Sequence, residues 1–121
     1  PLCARFGLVY YGCCEPLDAK LDIIKKLPNL RKVSMSPWVN PRRGAQGLGN
    51  KYVYSCKPNP ALLAWESFDP EAVRRELTGI KKVCEEYGTP LEFILKDIST
   101  VRREPQRVWQ WAKIAMEVAN S

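Results

Sequence analysis

Four times along the chain, a short apolar run gives way to apolar positions at helical spacing. Phe6-Gly7-Leu8-Val9-Tyr10-Tyr11 is an apolar, aromatic run closed by Gly12, the pattern of a strand buried on both faces. Glu15-Pro16 then opens a predicted helix in which Leu17, Leu21, Ile24 and Leu27 recur on one face before Pro28-Asn29 stops it. Leu30 to Met35 predicts the second strand. Asn40-Pro41 reads as an N-cap followed by proline in the first helical position, opening a short helix weakened by Gly44, Gly47 and Gly49. Lys51 to Cys56 predicts the third strand, which runs into the loop Lys57-Pro58-Asn59-Pro60. Asp69-Pro70-Glu71 repeats the cap-and-proline signal. It opens the clearest helix, with Val73, Leu77, Ile80, Val83 and Tyr87 on one face and Gly88 as its C-cap. Leu91 to Leu95 predicts the fourth strand, and a last helix runs from Glu104-Pro105 through Val108, Trp111, Ala115 and Val118. The Trp109/Trp111 pair on that helix reads most simply as core.

Strands that alternate with helices demand parallel pairing and right-handed crossovers, which leaves an open doubly wound sheet or part of a barrel. No Gly-rich phosphate loop follows any strand: Gly12, Gly44, Gly47 and Gly49 form neither GxGxxG nor a Walker motif. The 121 residues suffice for one domain but fall short of the about 250 of a complete (β/α)₈ barrel. The expectation is an α/β chain of four βα units, a single half-barrel domain over 1–121. Since it opens at Pro1 with neither initiator Met nor signal-peptide layout, it is expected to be a segment of a longer protein.

Composition narrows the function classes. At 45% hydrophobic and 26% charged residues, with no apolar run near the about 20 residues of a membrane span, a membrane role is not expected. Nineteen Lys and Arg against thirteen Asp and Glu give a net charge of +6. The basic residues are interleaved with acids along the predicted helices and form no stripe with aromatics. Solvated helix faces and an anionic small-molecule substrate are therefore expected rather than nucleic acid. Five irregularly spaced cysteines without a CxxC point to a reduced, cytoplasmic protein. Histidine is absent, which removes His-based acid/base chemistry and His-ligated metal from this segment.

In parallel α/β folds, the active site lies on the loops beyond the C-terminal strand ends. Those loops carry Gly12-Cys13-Cys14-Glu15, Ser34 to Trp38, Cys56-Lys57-Pro58-Asn59 and Lys96 to Thr100. The opposite rim carries Lys32, Lys51 and Glu92, which look solvated. Three cysteines on one rim, Cys13, Cys14 and Cys56, are the candidate metal ligands, because thiolates hold zinc tetrahedrally. Each also reads as an apolar packing group. Glu15 and Asp97 are the candidate catalytic carboxylates. Asp97 follows the apolar Ile94-Leu95, a setting that raises a carboxyl pKa, and a loop cap is its other reading. Tyr11, Trp38, Lys57, Asn59 and Lys96 are the candidate substrate-binding residues, the two lysines for carboxylates.

At Tyr10-Tyr11-Gly12-Cys13-Cys14-Glu15-Pro16-Leu17, at Lys57-Pro58-Asn59-Pro60 and at Leu95-Lys96-Asp97-Ile98-Ser99-Thr100, the chain resembles the uroporphyrinogen decarboxylase and cobalamin-dependent methyltransferase superfamily. The resemblance covers all four units and looks like the C-terminal half of that family's barrel. In the family's methyltransferases one strand end carries a His-x-Cys zinc motif and a later one adds a Cys. Here Tyr11-Gly12-Cys13 keeps the Cys with Tyr11 in place of the His, and Ser99 stands near the later position. The resemblance implies methyl transfer in the intact protein, with zinc on the cysteines and a corrinoid carried by a partner protein. The alternative it implies is decarboxylation of a tetrapyrrole polycarboxylate, which needs no cofactor. The family's decarboxylase Asp and Arg come from its N-terminal half, and its His has no counterpart here. A third expectation is a catalytically silent half-barrel module. The concave apolar face expected from Leu8, Tyr10, Val33, Val53, Phe93 and Leu95, together with two open edges, points to a homodimer that closes a barrel.

Overall fold

Strands and helices alternate along the chain: β1 (Val9–Tyr11), α1 (Leu21–Ile24), β2 (Leu30–Met35), α2 (Pro41–Leu48), β3 (Val53–Cys56), α3 (Ala61–Ala64), α4 (Pro70–Glu86), β4 (Leu91–Phe93) and α5 (Gln106–Asn120). A 3₁₀ turn over Cys3–Arg5 precedes them. The computed structural model describes residues 2–12, 15–96, 98 and 100–121. The four strands form one parallel sheet in the order β1-β2-β3-β4. Sequential order has no reversal point, and right-handed crossovers then bring every helix to the same face of the sheet. The helices accordingly form one layer, α1 against α2, α2 against α4 and α4 against α5.

The cap signals act as the sequence predicts. Asn40 accepts the Arg43 N–H at 3.2 Å, and Asp69 Oδ1 accepts those of Glu71 and Ala72 at 3.0 and 3.3 Å. Pro41 and Pro70 follow these caps in the first turn, where a missing N–H leaves no bond unmade. Gly88, just past α4, takes φ 65°, the left-handed conformation that ends helices. The glycines of α2 have a packing role. A Cβ on Gly44 would lie 3.2 Å from the Tyr54 ring, and one on Gly47 would lie 2.4 Å from Leu21 Cδ1, so α2 sits close against β3 and α1 because it lacks them.

Two core clusters fill the space between sheet and helices. In one, Val33, Met35, Tyr54 and Cys56 of β2 and β3 meet Leu17, Leu21, Ile24, Ala45, Leu48 and Cys84. In the other, Leu62 and Leu63 of α3 meet Val73 and Leu77 of α4 and Trp111, Ile114, Ala115 and Val118 of α5.

The structure departs from the pattern at four points. The first predicted helix is α-helical for one turn only. Bonds from the N–H of Lys20, Lys26 and Leu27 to the carbonyls of Leu17, Ile23 and Ile24 continue it as i→i+3 turns, which preserve the apolar spacing. A short helix, α3, follows the proline loop where the sequence predicts none. Trp111 is core, but Trp109, two residues away, is 70% exposed on the far side of α5. Finally, the six residues expected on one concave apolar face divide. Val33, Phe93 and Leu95 turn toward the helices and pack in the clusters, Leu8 and Tyr10 are exposed, and the half-buried Val53 joins neither cluster and pairs with Lys32. Strand periodicity of two explains the split, since Lys32 and Ser34 flank Val33 and must point the other way.

Candidate functional site

The sheet face that the helices leave uncovered is polar. Tyr10 of β1 pairs in register with Lys32 of β2, and Ser34 of β2 with Ser55 of β3, which in turn pairs with Glu92 of β4. These side chains alternate with the core residues Val33, Met35, Tyr54 and Cys56, so they share the opposite face. Lys57, just past β3, folds its ammonium back over them.

Ser55 is the hub. Its Oγ lies 2.7 Å from the Tyr10 hydroxyl, 2.7 Å from Glu92 Oε1 and 2.7 Å from Lys57 Nζ. A serine hydroxyl has one hydrogen to give, and an ionised carboxylate only accepts. Ser55 therefore donates to Glu92 and accepts from Lys57, so the Tyr10 hydroxyl must be the donor in its bond to Ser55. Lys57 also donates to the Tyr10 hydroxyl, and Lys32 Nζ closes the set at 2.8 Å from Glu92 Oε2. Lys32 Nζ stands 5.2 Å from the centroid of the Tyr10 ring, within cation–π range, while Lys57 meets the ring at its hydroxyl end.

Burial alone would raise the pKa of the Tyr10 phenol. The hydrogen bond from Lys57 and the Lys57 charge outweigh it and hold the phenol below its usual value. For Glu92, burial also pushes upward, and the bonds from Lys32 and Ser55 with the charges of Lys32 and Lys57 bring the carboxyl below the ordinary range. The result is a Tyr–Ser–carboxylate chain in which a half-exposed phenol is joined through one hydroxyl to a carboxylate. Such a chain can give up a proton at Tyr10 and stabilise the phenolate by the adjoining ammonium groups.

Of the candidates named from the sequence, Lys57 belongs to this network. Tyr11 points the other way and packs against the first core cluster. Asn59 donates its backbone N–H to Glu76 Oε1 at 2.9 Å and accepts the Ala61 N–H on its side chain. Trp38 is exposed at the α2 side of the rim, and Lys96 is exposed past β4. Glu15 is exposed too, and a hydrogen bond from Lys20 at 2.6 Å holds its carboxyl below the usual range. Cys13, Cys14 and Asp97 lie outside the described residues.

Cys56 faces the helix layer, and burial pushes its thiol well up, so it is a protonated core group. No group of three His, Cys, Asp or Glu residues among the described residues is arranged to hold a metal ion.

Sequence reasoning missed Tyr10, Lys32, Ser55 and Glu92. Lys32 and Glu92, expected as solvated strand starts, form an ion pair whose two side chains are only 30% and 31% exposed. The signal was present in the alternation Lys32-Val33-Ser34-Met35 and Tyr54-Ser55-Cys56, which says that the sheet is covered by apolar packing on one side only. Comparison of the chain with protein-family models, with curated proteins and with solved structures gives no match.

Proposed function

We propose that the uncovered sheet face is the working face of one half of a (β/α)₈ enzyme of the uroporphyrinogen decarboxylase type, and that it binds a carboxylate-bearing small molecule at Lys57, with Tyr10 as proton donor. The observation that carries this reading is the contact of Lys57 with both Tyr10 and Ser55, an ammonium group joined to a phenol of lowered pKa. The sequential parallel strand order supports it, because in a closed barrel this face lines the interior. In a decarboxylation the C–CO₂ bond breaks and its electron pair stays on carbon. The Tyr10 O–H turns from Ser55 to that carbon and gives it the proton, and Lys57 stabilises the phenolate until solvent returns a proton. The other wall of the site comes from four further strands, either in a longer chain or in a second copy.

Methyl transfer with zinc and a corrinoid partner is less well supported. It needs thiolates at the rim, and Cys56 is held protonated on the opposite side of the sheet.

Fluorescence titration with uroporphyrin, a tetrapyrrole polycarboxylate, tests the binding. Lys57→Met and Lys113→Met remove the same charge, the latter from an exposed position of α5. Lys57→Met is expected to weaken binding by about tenfold more than Lys113→Met, the loss of a charge-assisted contact. Equal effects would mean that the porphyrin is attracted only by net charge, and the reading would fall.

A further inference from the structure

On the helix side of the sheet, across from the polar face, lies a pocket of about 310 Å³ between the end of β3, the start of α2 and the middle of α4. Val39, Tyr54, Ile80 and Val83 give it apolar walls, and Glu76 is its one acidic group. One carboxylate oxygen of Glu76 accepts the Asn59 backbone N–H at 2.9 Å, which fixes the side chain against the loop. Among the described residues no ion pair involves Glu76. Burial raises its pKa against the weaker opposing effect of the Asn59 bond, the mark of a carboxylate that lacks a cation.

Gly79 is the second, independent observation. It sits mid-helix in α4, where glycine costs about 1 kcal/mol relative to alanine. The close approach that explains Gly44 does not apply here, because a Cβ on Gly79 would meet nothing within 4 Å. Gly79 lines the pocket at an exposed position of the helix. A half-buried carboxylate with no ion pair among the described residues thus lines an apolar cavity beside a residue whose missing side chain packing does not require.

We propose that this pocket is a binding site for a small apolar primary amine, its ammonium on Glu76 and its apolar body between Val39, Tyr54 and Ile80. The ammonium supplies the missing cation, and it donates to the carboxylate oxygen that Asn59 leaves unbonded. Apolar walls with one placed polar group are the usual composition of a small-molecule site. The proposal is independent of the polar face: Lys57 lines the pocket, but its ammonium is engaged on the other side of the sheet.

The test uses phenethylamine and its neutral counterpart phenethyl alcohol, followed by amide chemical shifts of the labelled chain. Phenethylamine should shift the amides of Asn59, Gly79 and Ile80, and the alcohol should bind at least about tenfold more weakly, since it lacks the charge-assisted bond. Glu76→Gln should abolish the preference for the amine over the alcohol. Gly79→Leu, confirmed as folded by circular dichroism, should remove binding of both. Amine shifts located elsewhere, or an amine preference that survives in Glu76→Gln, would overturn the proposal, as would undiminished binding to the folded Gly79→Leu protein.

Discussion

Replacing Arg107 with alanine tests how the second core cluster is held to the loop after α3. Arg107 lies in the first turn of α5 and is only 1% exposed, the largest fully buried side chain in the chain. Its Nε donates to Glu104 at 2.8 Å. Its two terminal nitrogens donate to the carbonyls of Leu63 at 2.9 Å, Trp65 at 2.5 Å and Glu66 at 2.9 Å. Those carbonyls need a donor because α3 is a single turn, and a helix leaves its last carbonyls without intrahelical partners. The Arg102 side chain takes a fourth, the Ala64 carbonyl, at 2.8 Å.

Truncation at Arg107 leaves three carbonyls without their donor. The buried Leu63 carbonyl costs about 2 kcal/mol when left unsatisfied, and the part-buried bonds to the exposed Trp65 and Glu66 about 0.5 kcal/mol each, so the loss is about 3 kcal/mol, a large share of the 5–15 kcal/mol of an ordinary domain. Glu104 adds little, because its side chain is half exposed and water replaces the lost partner. For a domain of this size the corresponding fall in Tm is about 10 °C. Urea denaturation followed by circular dichroism measures the free energy directly. Arg107→Lys is expected to fall between the parent and the alanine variant, because one compact ammonium cannot span three carbonyls as the planar fork does. An alanine variant within about 0.5 kcal/mol of the parent would refute the argument, because the carbonyls would then rehydrate freely and Arg107 would be only a filler.

Three other outcomes are expected. Because the Glu92 carboxyl is held below its unfolded-state value, its contribution to stability is present above that value and is lost as pH falls through the folded one. Glu92→Gln should therefore flatten the acid limb of stability against pH in urea titrations, and an unchanged limb contradicts the network. Burial pushes the Cys84 thiol up to about 12 and Cys56 further, so iodoacetamide at mildly alkaline pH should leave both unmodified in the folded protein while reaching the less buried Cys3. Peptide mapping by mass spectrometry reads this, and rapid labelling of Cys56 would place it outside the core. For self-association, β1 and β4 each pair on one side only, and light scattering over a dilution series should show a dimer that closes these edges. A 13.8 kDa monomer at every concentration would rule it out.

The parts of the fold legible in the sequence are those fixed by local chemistry. β2 spans Leu30–Met35, the range expected from the sequence, and α2 and α4 begin where Asn40-Pro41 and Asp69-Pro70 place them. A cap acts over three or four residues, and the residues concerned are adjacent in the chain. By contrast α3 depends on Arg102 and Arg107, some forty residues downstream, and no local pattern around Ala61-Leu62-Leu63-Ala64 signals their arrival. The candidate site was missed for a related reason. Placing the active site on the loops beyond the strand ends, with Lys32 and Glu92 taken as solvated, left the rim as the place for polar chemistry. Lys32, Ser34, Ser55 and Glu92 lie within the strands and converge only when the register is known. Lys57 was legible because it belongs to both descriptions, a rim residue whose side chain returns to the sheet face.

The positive charge carries a second lesson about function. An excess of +6 reads naturally as attraction for an anion, yet part of it serves backbone carbonyls inside the chain. Arg31 donates to the Lys51 carbonyl at 2.6 Å, Lys81 to the Val118 carbonyl at 2.8 Å and to Ser121, and Arg102 and Arg107 to the four carbonyls around the end of α3. Arg107 and Lys81 also meet a carboxylate each, Glu104 and Glu85, whereas the Arg31 and Arg102 side chains bond carbonyls, so part of the excess charge creates no ligand site. Lys32 and Lys57 differ in kind. They face one carboxylate between them, and they share it with a phenol and a serine on an open surface. Anion binding is therefore expected to follow these two lysines rather than the total charge, and that is the contrast between Lys57→Met and Lys113→Met.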